Sequence, residues 1–210
     1  MIRISVCMIV KNEEAVLDRC LGSLSGIADE IVLADTGSAD RTKEIAANYT
    51  DKIYNFPWTG DFSAARNFVF SKASMDYIYS ADADEVLDEE NRRKFLRLKR
   101  TLPPDAEIVQ MKYANQTRYN TAYNFDTELR PKLFRRLRTF RWVDPVHETV
   151  DLGVRIVNSG ITVRHMPAGL HSGRDFSLLE AAAKAGPLSE RLARMYAKEP
   201  AFAAASSREK

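Results

Sequence analysis

The first hundred residues alternate short apolar segments with segments whose apolar residues recur at helical spacing, and this alternation is the strongest constraint on the fold. The segments predicted as strands are residues 2–10, 30–35, 52–56 and 76–81. Helices are predicted at residues 16–24 and at about 88–102. Two more are predicted between them, one that Ser38 or Asp40 could cap and one that begins at Asp61. Strands and helices that alternate in this way are typical of βαβ units around a largely parallel sheet.

The second half of the chain has a different pattern. Residues 107–125 and 131–166 are predicted as extended strands separated by turns. This pattern indicates a mixed or antiparallel extension of the sheet, so the predicted fold class is α/β with a mixed sheet flanked by helices.

A short helical extension is predicted at the end, over residues 174–210. Ser177 and Glu180 form a capping-box pattern, residues 186–187 are a Gly-Pro stop, and a second helix is expected over 188–198 before an Ala- and Ser-rich tail. These helices are expected to pack on the main domain or to form a homo-oligomer, because they share an apolar face. Its residues are Leu178, Leu179, Leu188, Leu192 and Met195.

Composition restricts the class of protein further. A chain of 210 residues with 45% hydrophobic content can bury one substantial core. Cys7 and Cys20 show neither metal-ligand spacing nor a disulfide pattern, so a reducing, cytoplasmic location is expected. The net charge of +2 argues against a dedicated nucleic-acid binder. No apolar run reaches the roughly 18 to 20 residues that span a bilayer, although attachment at the inner face of a membrane stays open.

Three carboxylates, Asp82, Asp84 and Glu85, lie within four residues directly after the fourth predicted strand. Like charges this close repel unless solvent or a cation neutralises them. Two carboxylates one residue apart suit a hard cation, Mn²⁺ or Mg²⁺, and do not suit zinc. The alternative is a solvated loop whose acids favour the start of the next helix.

Polar residues also follow the first and second predicted strands. In an open α/β sheet ligands bind beyond the carboxyl ends of the strands, so these side chains are expected to meet the carboxylates in one crevice. The chain contains no P-loop and no GxGxxG pattern. The residues are Lys11, Asn12 and Glu13 after the first strand, and Asp35, Thr36 and Ser38 after the second.

Four segments in order, "SVCMIVKNEE", "VLADTGSADRT", "DFSAARN" and "YSADADE", resemble glycosyltransferase family 2, whose members have the GT-A (Rossmann-like) fold. The resemblance covers residues 2–90 and extends to about 170. It implies a catalytic domain over 1–173, with a nucleotide-sugar half at about 1–90 and an acceptor half at about 104–170.

The resemblance also implies a site for a nucleotide-diphosphate sugar, with a UDP-sugar as the expected donor. Asp35 would recognise the nucleobase and Arg66 would support the nucleotide pocket. Asp82, the first acid of the DxD motif, would face the ribose or the metal, and Asp84 would bind the Mn²⁺ or Mg²⁺ that bridges the diphosphate. The other residues expected to bind the donor are Val10, Asn12, Glu13, Gly37 and Ser38.

The later histidines are placed by the same resemblance. His147 and Glu148 occupy the position where many family members carry an acidic pair near the acceptor, which implies that His147 binds substrate and that Glu148 is the catalytic base. Asp144 is the competing base. His165 lies where a late histidine can complete the metal or diphosphate site, whereas His171 has no motif support.

The expected function is therefore that of an inverting, metal-dependent glycosyltransferase acting on a glycan, a lipid-linked molecule or a peptide. The basic segment 130–141 favours an anionic acceptor, a diphosphate or a membrane surface over nucleic acid, whereas the basic segment 92–100 follows acids on one predicted helix and is structural. A non-catalytic nucleotide-binding protein is the alternative. A nucleotidyltransferase would carry a Gly-rich, Arg-containing loop after the first strand, and "KNEEAV" has none.

Overall fold

A computed structural model describes residues 1–115, 128–150, 152–168 and 172–196. The strands are β1 (Ile4–Val10), β2 (Glu30–Asp35), β3 (Ile53–Asn55), β4 (Tyr77–Ser80), β5 (Glu85–Val86), β6 (Ile108–Asn115), β7 (Glu128–Arg135) and β8 (Ile156–His165). The helices are α1 (Leu17–Ser23), α2 (Thr42–Ala47), α3 (Phe62–Ser71), α4 (Glu89–Thr101) and α5 (Ser172–Ala185). Residues 190–196 are also helical and are called α6 here.

These eight strands form one mixed sheet in the order β3-β2-β1-β4-β7-β6-β8-β5. Strands β3, β2, β1 and β4 run parallel, β7 is antiparallel to both β4 and β6, and β8 runs parallel to β6. The chain passes from β1 to β2 on one side and reaches β4 on the other side. The strand order therefore reverses next to β1, which is where α/β sheets open a crevice for ligands.

Strand β1 is buried on both faces of the sheet. Val6 and Met8 belong to an apolar cluster that includes residues of α1 and α4, while Cys7 lies in a second cluster that includes residues of α3. Because helices cover both faces, the central strands have nearly continuous apolar sequences, as parallel strands usually do.

The predicted elements of the first half are confirmed to within a few residues, and α4 shows why. Asp88 caps α4 by accepting the N–H of Asn91 at 2.9 Å. Acids in its first turn and bases in its last turn complement the helix dipole. The structural interpretation of the basic segment 92–100 therefore holds for this helix. Lys99 is nevertheless buried, where it donates to the Asp29 carboxylate at 2.7 Å.

Several local predictions were wrong. Helix α2 begins at Thr42, and its N-cap residue is Arg41, which makes no side-chain cap bond. Asp40, the residue before this N-cap, accepts the Thr42 N–H at 3.0 Å. Helix α5 begins at Ser172, so Ser177 lies inside the helix and the capping box does not form. The short strand β5 was not predicted, because two residues are too few to show the alternation of apolar and polar side chains that marks a strand.

Some predictions fall outside the described residues. These are part of the extended segment 107–125, residue His171 and the tail from Ala201. Within the described ranges, no helix is both long and apolar enough to cross a bilayer.

The first residue of β2, Glu30, is a buried carboxylate that ties three parts of the chain together. It accepts the Ser74 N–H at 2.8 Å and is bonded to the Ser5 hydroxyl and the Lys52 ammonium. Burial alone would raise the pKa of Glu30, but the hydrogen bonds from Lys52, Ser5 and Ser74 outweigh it and lower the pKa from 4.5 to about 2.

We expect Glu30→Gln to lower the free energy of unfolding at pH 7 by about 2 kcal/mol, because charged hydrogen bonds are lost in a buried place. A lowered folded-state pKa means that this stabilisation is full above 4.5 and is lost as the pH falls toward about 2. Urea denaturation should therefore show a gap between parent and variant at pH 7 that shrinks at pH 3. Glu44→Gln, at an exposed ion pair with Arg41, is the control and should change stability by less than about 0.5 kcal/mol. An equal gap at both pH values would contradict the assignment.

Candidate active site

The loops that follow β1 and β2 are hydrogen-bonded to each other. The Asn12 N–H donates to Ser38 Oγ at 3.0 Å, and Asn12 Oδ1 accepts the Ala39 N–H at 2.8 Å. Asn12 has a positive φ of 55°, which Asn tolerates better than most residues. The Val10 carbonyl accepts the Thr36 N–H at 3.0 Å, and the Glu13 N–H donates to Thr42 Oγ1 at 2.7 Å. The sequence-predicted residues of these two loops are thus brought together.

Asp35 is fixed at the carboxyl end of β2 by the turn that follows it. Its carboxylate accepts the N–H groups of Gly37 and Ser38, each at 3.2 Å, and its side chain is only 2% exposed. Gly37 has a φ of 105°, which a residue with a Cβ rarely adopts. The turn therefore holds Asp35 in one orientation beside the Asn12 loop.

Arg66 of α3 is buried and joins three parts of the chain. Its Nε donates to Glu148 Oε1 at 2.7 Å, its Nη1 to Ser80 Oγ at 2.6 Å, and its Nη2 to Asp82 Oδ1 at 3.3 Å. Its Cζ lies 5.0 Å from the ring centroid of Trp142. Burial would lower the pKa of Arg66, but Glu148 and Asp82 raise it, so the group stays charged.

Lys132 of β7 supplies a second buried cation on the other side of Asp82. Its Nζ lies 3.6 Å from Asp82 Oδ2, donates to the Ser80 carbonyl at 3.2 Å and is bonded to the Glu85 carboxylate. Burial would raise the pKa of Asp82, but Lys132 and Arg66 hold it well below its usual range. The more deeply buried Glu85 behaves differently, since its burial outweighs Lys132 and raises its pKa to about 7.

Asp84 faces an imidazole instead of a fixed cation. Its Oδ2 lies 2.9 Å from His165 Nε2, and its carbonyl accepts the Met166 N–H at 2.8 Å. The pairing of β5 with β8 sets this contact, because Glu85 lies opposite His165 in the ladder. Burial would lower the pKa of His165, but the hydrogen bond with Asp84 raises it overall. In the described parts of the chain, no group of three His, Cys, Asp or Glu side chains forms a ready cation site.

The two carboxylates predicted as alternative bases point to different partners. They lie on a turn closed by the pairing of Val143 with Thr149. Glu148 binds the buried Arg66, whereas Asp144 Oδ2 lies 2.8 Å from Arg191 Nη2 on α6. On the same turn, His147 Nε2 is buried and has no hydrogen-bond partner among the residues that the structure describes.

Sequence reasoning missed Lys132 and Arg191. Lys132 lies in a segment with many arginines, which indicated an anionic acceptor, a diphosphate or a membrane surface, and no local pattern marks it as buried. Arg191 lies on a short helix and is itself exposed, so no sequence pattern marks it as a contact of the distant turn. Both act through partners far away in the sequence, such as Glu85 and Asp144.

The overall geometry matches a known fold class. The structure of glucosyl-3-phosphoglycerate synthase from Mycobacterium tuberculosis, solved in complex with Mn²⁺, UDP and glucosyl-3-phosphoglycerate, is similar with a TM-score of 0.58 and 17% sequence identity. The match covers 90% of this chain and 82% of that one. The curled mixed sheet flanked by helices is therefore the GT-A fold of glycosyltransferases.

Sequence comparison identifies the family. The model of glycosyl transferase family 2 matches residues 5–152. A TPR repeat-containing protein of Synechococcus elongatus is 36% identical over 154 residues, which cover 72% of this chain and 36% of that protein. The lipopolysaccharide core biosynthesis glycosyltransferase LpsC of Rhizobium meliloti is 32% identical over 130 residues, covering 60% and 46%. The chain belongs to glycosyl transferase family 2, as its four motifs predicted, and spans between about a third and a half of the length of these two relatives.

We expect Arg66→Lys to destabilise the protein by about 1–3 kcal/mol, because a lysine keeps the charge but cannot reach the three acceptors that the guanidinium binds. Urea denaturation of parent and variant measures the effect. Arg3→Lys is the matched control, because Arg3 is exposed and its Nε makes only a long contact, at 3.9 Å, with the Asp76 carboxylate. Equal stability of Arg66→Lys and the parent would show that the three hydrogen bonds of the planar guanidinium do not stabilise the fold.

Proposed function

We propose that this protein is an inverting, metal-dependent glycosyltransferase that uses a nucleotide-diphosphate sugar. The observation that carries the proposal is that the Asp35 turn, Asp82 and the Asp84–His165 pair all follow the carboxyl ends of neighbouring parallel strands, in a chain of this family. The Asp35 turn offers hydrogen-bonding groups for a nucleobase, and the carboxylates of Asp82 and Asp84 can hold a cation that offsets the charge of a diphosphate.

The donor nucleotide is proposed to bind along the loops after β1 and β2. Asp35 would accept hydrogen bonds from the nucleobase, and Val10, Asn12, Glu13, Gly37 and Ser38 would line the pocket around it. Arg66 supports the proposal by fixing Asp82, whose half-exposed side chain can reach the ribose. The likeness to a structure that holds UDP and Mn²⁺ supports a UDP-sugar as the donor.

A divalent cation is proposed at Asp84 and His165, with Asp82 close by. Mg²⁺ and similar ions are commonly held by one or two carboxylates and completed by substrate phosphates and water, which fits two protein ligands better than a closed cage. Asp82 is already paired with two cations, which favours its ribose role over direct ligation. When bound, Mn²⁺ or Mg²⁺ would offset the negative charge of the diphosphate leaving group.

In the proposed reaction an acceptor hydroxyl attacks the anomeric carbon from the face opposite the diphosphate. The new carbon–oxygen bond forms as the bond to the diphosphate breaks, the diphosphate keeps the electron pair, and the acceptor proton passes to a carboxylate. Glu148 is the proposed base because it binds the same guanidinium as Asp82, whereas Asp144 is turned toward α6. His147 would contact the acceptor, whose class is a glycan, a lipid-linked molecule or a peptide.

One observation favours the alternative of a non-catalytic nucleotide-binding protein. Both candidate bases are paired with arginines, Glu148 with Arg66 and Asp144 with Arg191. A carboxylate held in this way could serve structure alone. A screen of nucleotide sugars for Mn²⁺-dependent release of nucleoside diphosphate separates the two functions, because only the enzyme turns over its donor.

For the metal site, we expect Asp84→Asn to weaken UDP binding in the presence of Mn²⁺ by about 10-fold or more. Loss of a residue that hydrogen-bonds to a metal ligand typically lowers metal affinity by about this factor, and loss of the ligand itself should lower it at least as much. Binding in EDTA should not change. Calorimetry with and without Mn²⁺ measures both. Asp105→Asn, at a surface pair with Arg155, is the control. If Asp84→Asn binds UDP in Mn²⁺ as tightly as the parent, Asp84 is not a ligand.

For the base, we expect Glu148→Gln to lower sugar transfer by about 10² to 10⁴. Glutamine is nearly isosteric and can still accept from Arg66, so UDP affinity should stay close to the parent value. Thermal stability should fall, as expected for Glu30→Gln, because a charged hydrogen bond to a buried guanidinium is lost. Asp144→Asn should lower transfer much less. Transfer or UDP release is compared with UDP affinity for the parent and both variants.

Two results would overturn parts of this scheme. Unchanged turnover in Glu148→Gln would exclude it as the base. Tight metal-dependent nucleotide binding by the parent, without release of nucleoside diphosphate from any donor, would favour the binding-protein alternative.

A further inference from the structure

The turn that carries Glu148 contains two residues in a backbone conformation that side chains disfavour. Asp144 has a φ of 75° and His147 a φ of 50°. Each left-handed residue other than glycine costs about 1 to 3 kcal/mol and persists only when its surroundings impose it. The residues between Val143 and Thr149 therefore need anchors outside the turn.

Arg191 of α6 contacts both of the strained residues. One of its nitrogens, Nη2, lies 2.8 Å from Asp144 Oδ2 and also donates to the His147 carbonyl. The first contact is an ion pair between Arg191, whose side chain is 42% exposed, and Asp144, whose side chain is only 12% exposed. Charge-assisted hydrogen bonds of this kind are roughly twice as strong as neutral ones. A single guanidinium thus fixes the turn at the two positions where its backbone is strained.

The residues between these two positions are also fixed from outside the turn. Val146 is 1% exposed and forms an apolar cluster with Leu179 of α5 and Leu192 of α6. The Pro145 carbonyl accepts the N–H of Phe62, the first residue of α3, at 2.8 Å. The C-terminal helices therefore supply two anchors, Arg191 and the Val146 cluster. Helix α3 supplies two more, the Phe62 contact and the Arg66–Glu148 pair.

From these contacts we propose that Arg191 is a positioning residue, through which the C-terminal helices hold the turn so that Glu148 stays on Arg66 beside Asp82. Arg191 acts on Glu148 through Asp144 and the His147 carbonyl and does not touch the donor site. This proposal rests on the proposed function in one respect, which is that Glu148 is the catalytic base. It assigns to α5 and α6 a part in turnover, separate from nucleotide binding.

The experiment compares Arg191→Met with Arg194→Met in the full chain. Methionine keeps a long apolar side chain on the same helix, and Arg194 is the matched control because it pairs with Glu190 of its own helix. Hydrogen exchange followed by mass spectrometry reports on the Val143 and Thr149 amides, which bond across the turn at 2.9 and 3.0 Å. In Arg191→Met these amides should exchange faster by about 10-fold or more, the factor expected for losing a charge-assisted hydrogen bond.

Kinetics supply the functional part of the test. The assay is release of UDP from the UDP-sugar that the parent hydrolyses fastest in Mn²⁺. In Arg191→Met we expect kcat to fall by about 10- to 100-fold, as for a misplaced catalytic group, with donor KM and UDP affinity unchanged. Arg191→Lys keeps the ion pair and should recover part of kcat. In combination with Asp144→Asn, Arg191→Met should lower kcat by less than the product of the two single effects.

Three results would count against the proposal or its basis. Exchange as slow in Arg191→Met as in the parent would show that Arg191 does not hold the turn. Faster exchange with unchanged kcat would show that the turn does not position Glu148, and would leave the proposed enzyme activity intact. A parent that releases UDP from no donor would refute the enzyme activity, while the exchange data would still decide whether Arg191 anchors the turn.

Discussion

The buried guanidinium of Arg66 is the interaction on which the arrangement of the crevice depends. An arginine removed from water loses its hydration, and this loss is offset only where acceptors surround it with good geometry. The acceptors come from separate parts of the chain, namely Ser80 at the end of β4, Asp82 after it, and Glu148 on a distant turn. Since one planar group binds all three, it fixes α3, the carboxylates after β4 and the turn at residues 143–149 relative to one another.

The same charge pattern explains why the clustered carboxylates are not equivalent. Asp82 lies between Arg66 and Lys132, and Glu85 is bonded to Lys132 in a buried place, so fixed cations already neutralise them. Asp84 faces His165, an imidazole that can lose its proton and donate a lone pair to a metal, as a guanidinium cannot. Of the three acids, Asp84 is therefore the one that we propose as a ligand of the divalent cation.

The sequence predicted the parts of this protein that depend on local pattern. Alternating periods located β1 to β4 and the helices between them, and the carboxylates after β4 followed from strand-end placement alone. The pairing of β5 with β8, which brings His165 to Asp84, has no local signature and was not predicted. Only the family resemblance suggested a role for His165 near the carboxylates. Lys132 could not be found in this way, because a lysine among arginines gives no sign of burial until its distant partner Glu85 is known.

The turn at residues 143–149 is held by two arginines that approach it from different elements. Arg66 on α3 binds Glu148, and Arg191 on α6 binds Asp144. A change on the α6 side can therefore alter the turn without altering the loops after β1 and β2, which are tied to each other through Asn12 and Ser38. The contacts to which we assign donor binding are therefore largely distinct from those to which we assign acceptor activation. Under the proposed function, such a division would let the acceptor side vary among members of one fold while the nucleotide site keeps its geometry, with Arg66 joining the two through Asp82 and Glu148.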